Sequence, residues 1–218
     1  MDLRSICICI GSVLLIATSG YYGYKFLKLK NYLLGIEFMI VMISDIFFSI
    51  YFLSGSLTAL AITNFCGAFS RGFGIPVIAA AGLMTASNGF KPSIAQDVGF
   101  FALGLAGATI LVTVPALAGV LPYFYVAMWA MFSVYLIYFA TKLFAAGERA
   151  LGLFMVVNIA ASAMIAYIYD LYQIPGDGTN IVFNFEVLAP IAWSSLNVAL
   201  YHGYRALEGR RRDERPPL

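Results

Sequence analysis

LTALAITNFCGAFSRGFGIPVIAAAGLMTA, residues 57–86, runs for thirty residues with a single charge, Arg71. An α-helix crosses the hydrocarbon core of a bilayer in about 20 apolar residues, so this stretch reads as a membrane span. The rest of the chain repeats the pattern. Hydrophobic residues make up 61% of the 218, charged ones 11%, and the mean hydropathy is +0.87. Soluble domains carry roughly 25% charge, so the composition is that of an integral membrane protein.

Seven such runs can be counted, near residues 6–24, 33–52, 57–86, 98–118, 122–141, 150–169 and 181–206. They are too long for barrel strands, which predicts an all-α integral membrane protein of seven transmembrane helices. Residues 1–208 form the membrane domain, and 209–218 form a short basic tail. Lys25, Lys28 and Lys30 fall between spans one and two, Lys91 between three and four, Lys142 and Arg149 between five and six, and five arginines from Arg205 onward. The alternate turns hold no Lys or Arg, so the positive-inside rule puts the N-terminus outside and the tail in the cytoplasm. Arg4 and Arg71 are the two exceptions among thirteen basic residues. A cleaved signal peptide over the first span would strand Lys25, Lys28 and Lys30 on the wrong side, which argues against it.

The same polarity suits the inner membrane of a bacterial cell, with anionic lipid headgroups as the natural contact of the tail. A net charge of +2 gives no footprint for nucleic acid. Cys7, Cys9 and Cys66 show no metal or disulfide spacing, and His202 is the single histidine, so no metal site and no cofactor is expected. Nucleophile elbows, zinc helices and phosphate loops are absent, which argues against an enzyme.

Two weak echoes suggest a duplicated, three-one-three arrangement. Lys25 and Leu34-Gly35 recur as Lys142 and Leu151-Gly152 at a shift of 117, and Arg71 with Pro76 recurs as Glu186 with Pro190 at a shift near 115. Span four, rich in Gly and Ala, reads as a closely packed central helix.

Charge inside a bilayer is costly, about 2.5–3.5 kcal/mol for an arginine at mid-membrane, so Arg71 should face the protein interior and find a partner. Span two offers Asp45 and Glu37, with Asp45 the first choice. Gly72, Gly74 and Pro76 would make the segment after Arg71 a kinked or partly unwound hinge, with Pro190 as its counterpart in span seven. Glu186, Pro190, Ser194, Asn197 and Tyr201 form a polar stripe on span seven, and Asn158 and Ser162 in span six could face it. Each set has a plainer reading: an ion pair tying helices two and three, and hydrogen-bond glue between helices. Tyr125, Trp129, Phe132 and Phe139 line one side of span five, most simply as packing.

The topology resembles that of retinal proteins, but no lysine follows Lys142 to form a Schiff base. It also resembles seven-helix sugar exporters and trimeric cation channels, whose proline-glutamine and glycine-triplet signatures are missing. The expectation is a carrier or channel for a small polar or anionic solute. Arg71, Asp45, Glu37, Asn158, Glu186, Ser194 and Asn197 would form its substrate-binding site. The alternative is a non-transporting sensor, or an accessory subunit acting as a homo-oligomer or within a larger membrane complex.

Overall fold

The computed structural model describes residues 2–172 and 174–213, and among these all regular structure is helical. Seven long helices follow in order: α1 (Leu3–Lys28), α2 (Tyr32–Ser54), α3 (Leu57–Ser87), α4 (Ile94–Thr113), α5 (Leu121–Ala145), α6 (Arg149–Leu171) and α7 (Phe185–Asp213). The first six are long and apolar enough to cross a membrane. At 29 residues α7 has the length, but Glu186, Asn197 and its arginine-rich end make it more polar. The tail expected from residue 209 begins inside this helix, which continues to Asp213; residues 214–218, including Arg215, lie outside the described residues.

Short polar residues set the helix starts. Asp2, Asn31 and Ser56 accept hydrogen bonds from backbone N–H groups in the first turns of α1, α2 and α3, and Ser93 with Gln96 forms a reciprocal capping box on α4. Gly55 ends α2 in the left-handed region at φ 70°, which turns the chain into α3 within two residues.

The packing order forms a ring. α1 lies between α2 and α7, α2 packs on α3, α3 on α5, α5 on α6, and α6 on α7. The second half of α3 also meets α2, α5 and α7, so α3 runs through the middle of the bundle. α4 is peripheral. Only 11% of its apolar window is buried, against 61% for α3, which corrects the expectation of a central fourth helix. Its glycines do serve close approach, since Gly104 and Gly107 admit Phe69 and Phe73 of α3. The principal core joins Phe26, Phe38, Leu83, Phe132, Phe139 and Leu200, all fully buried.

α1 and α7 run parallel and in register. Arg4 meets Glu186, Ser19 meets Asn197, and Phe26 meets Tyr204.

Candidate functional site

The stretch around Arg71 is helical throughout, but it is not α-helical. Ser70–Ala79 forms ten residues of π-helix within α3, so the segment of Gly72, Gly74 and Pro76 departs from α geometry as a widened, more loosely wound helix. The cause is local. In α geometry the Pro76 ring would press on the carbonyl of Gly72, and Pro76 has no N–H to donate; widening the turn relieves the first problem and re-pairs the neighbours. Gly72 and Gly74 let other helices reach this backbone, with Leu111 and Phe124 closing on Gly72 and the Glu37 carboxylate on Gly74.

Arg71 pairs with Asp170 of α6, and neither Asp45 nor Glu37 is its partner. The guanidinium also lies over the ring of Tyr125 at 4.1 Å and over that of Tyr169 at 4.3 Å. Two aromatic faces and one carboxylate, drawn from α5 and α6, therefore hold a cation whose side chain is 18% exposed. The pairing differs from the expected one because α3 turns this face of its π segment toward α5, whereas Gly74, three residues on, faces α2. Asp170 is the penultimate residue of α6 and Tyr125 the fifth of α5, so the long arginine reaches the layer where those helices end. The second carboxylate oxygen of Asp170 is buried without a protein donor.

Asp45 and Glu37 are separate from this cluster. Asp45 faces the Ser12 hydroxyl of α1, and Glu37 is wholly buried against Ser70 and Gly74. The chain matches no protein-family model, no curated protein and no solved structure.

The polar stripe of α7 faces α1, not α6. Glu186 forms a 2.9 Å ion pair with Arg4, and the Asn197 side-chain amide donates to the Ser19 hydroxyl at 2.9 Å. Ser194 donates to the backbone carbonyl of Pro190 in its own helix, and α7 continues through the proline without a break. Asn158 likewise donates within α6, to the carbonyl of Phe154. These four residues thus spend their hydrogen bonds on interhelical and intrahelical contacts and do not converge with Arg71. Trp129, Phe132 and Phe139 of α5 are buried in the core, and Tyr125 is buried over Arg71.

Sequence reasoning missed Asp170, Tyr125 and Tyr169 as partners of Arg71. The signal available was Asp170 itself, the single acid between Arg149 and Leu171. It also missed Arg4 as the partner of Glu186. Both basic residues that break the positive-inside pattern and lie at helical positions prove to be neutralised by a carboxylate.

Proposed function

We propose that the chain is a seven-span carrier or channel of a bacterial-type inner membrane that recognises a small polar or anionic solute at Arg71. The observation that carries this reading is the arginine on a π-helical segment, held between two tyrosine rings by a single carboxylate at the edge of the 172–184 connection. π-helical segments are uncommon and recur at functional sites. Asp170 then acts as a place-holder. A solute carboxylate or phosphate takes its position on the guanidinium, and the tyrosine rings keep the cation oriented during the exchange. Asp45, Glu37, Asn158, Glu186, Ser194 and Asn197 support the surrounding helices in this reading and do not contact the solute.

α7 completes the seventh span. The groups that lower its hydropathy, Glu186 and Asn197, are satisfied by α1, so they need not face lipid. The position of α4 outside a ring made by α1–α3 and α5–α7 supports the three-one-three arrangement. In a chain with Cys7, Cys9 and Cys66 replaced, a cysteine at Ser56 should react with impermeant maleimide in intact cells. One at Ser93 should react only after permeabilisation, and the reverse pattern would overturn the orientation.

Solute recognition is tested by thermal unfolding of the purified protein with small carboxylates, phosphate and sulfate. A ligand should raise Tm in the wild type by linkage, more strongly in Asp170→Asn, and not in Arg71→Gln. If no anion stabilises either the wild type or Asp170→Asn, the ion pair is a structural tie and the accessory-subunit reading replaces this one.

A further inference from the structure

Among the described residues Glu37 has no counter-charge. It is fully buried in α2, and neither carboxylate oxygen has a hydrogen-bond donor among them. The surface it meets is the π-helical segment of α3, where the absence of a side chain at Gly74 lets the carboxylate lie directly on the backbone. The Ser70 hydroxyl faces it without hydrogen-bond geometry and is itself buried and unpartnered. Cys66 is the titratable group that α3 turns toward it.

The cations nearby are engaged elsewhere. Arg71 is turned to Asp170, while Lys25 and Lys28 of α1 lie over the rings of Tyr21 and Tyr24. α1 packs on this part of α2 through Gly23 and Leu27, which bring no charge. An ionised carboxylate removed from water with neither donor nor counter-ion is strongly disfavoured, whereas the acid form is neutral and supplies a donor of its own.

We propose that Glu37 is a proton-binding site, and that its protonated form is what seats α2 against the π-helical segment of α3. The ligand is the proton. The protonated acid would donate to an oxygen of that segment, with the Ser70 hydroxyl a candidate acceptor. Loss of the proton places a bare charge on the backbone at Gly74 and drives α2 and α3 apart, so the contact is a proton-sensitive joint in the middle of the bundle. This inference does not rest on solute recognition at Arg71, and each can fail without the other.

Infrared spectroscopy of the full chain in lipid vesicles reads the site directly, through the C=O stretch that only a protonated carboxylic acid shows. The chain has five glutamates, and among the described residues Glu37 is the one buried without a partner, so labelling glutamate with carbon-13 at the side-chain carboxyl is selective enough. At neutral pH a carboxylic-acid band should move to lower frequency on labelling, disappear in Glu37→Gln, and fade in alkaline buffer. The labelled wild type decides the matter even if Glu37→Gln does not fold. A neutral-pH spectrum in which no carboxylic-acid band responds to glutamate labelling would show Glu37 ionised and overturn the proposal.

Discussion

Replacing Asp170 by Asn and Arg71 by Gln, singly and together, measures the tie that the structure places between α3 and α6. The two side chains are 6% and 18% exposed, so the pair lies largely out of solvent. Removing one member of a buried pair costs about 3–5 kcal/mol, because the other is left uncompensated. Asp170→Asn should fall below that range, at about 2–3 kcal/mol: the guanidinium keeps both ring contacts, each about 0.5–2 kcal/mol, and the new amide oxygen can still accept. Arg71→Gln loses the rings as well and leaves both Asp170 oxygens without a donor, so it should reach the full range. The double variant removes both charges, and the coupling between the sites should be about 2 kcal/mol. Reversible unfolding in mixed micelles of all four proteins supplies the cycle. A coupling below about 0.5 kcal/mol, or an Asp170→Asn variant less stable than Arg71→Gln, would refute the geometry on which the solute site is built.

Gly74→Ala places a methyl group on the Glu37 carboxylate and should destabilise by about 1–3 kcal/mol as an overpacked contact. Adding Glu37→Ala should recover most of that loss, and equal stability of Gly74→Ala and wild type in the same micelle assay would count against the contact. Asn197→Ala and Ser19→Ala each remove one hydrogen bond between α7 and α1, at about 0.6–1.7 kcal/mol. The double variant should be no worse than the poorer single one, whereas fully additive losses would show that the two side chains are not bonded to each other.

The number, length and order of the helices were legible because each depends on a local quantity. Residues 57–86 are apolar for about thirty positions whatever surrounds them. Glu37 and Asp45 could also be read as buried, since they are the two charges in the apolar run 33–52, and both are. Which groups meet across the bundle was not legible, because it depends on how α3 is tilted and wound. Asp170 lies ninety-nine residues from Arg71, and the reasoning that preferred Asp45 assumed that Arg71 faces the helix next to α3 in the sequence.

The π segment breaks that assumption. A π turn takes more residues than an α turn, so over ten residues the faces of α3 rotate away from where a period of about 3.6 would put them. Arg71 is thereby turned to α5 and α6 while Gly74 stays on α2, although in an α-helix residues three apart share a face. One widened segment thus holds two ionisable groups apart inside the bundle. The cation lies against rings and a carboxylate at the ends of α5 and α6, and the acid Glu37 lies against bare backbone in the interior. A return of residues 70–79 to α-helical winding would rotate Arg71 and Gly74 toward one face and bring the guanidinium toward Glu37. In that winding a partnered arginine and an unpaired acid would give way to an ion pair between α2 and α3, so the π-helical winding of residues 70–79 is what keeps the two groups apart.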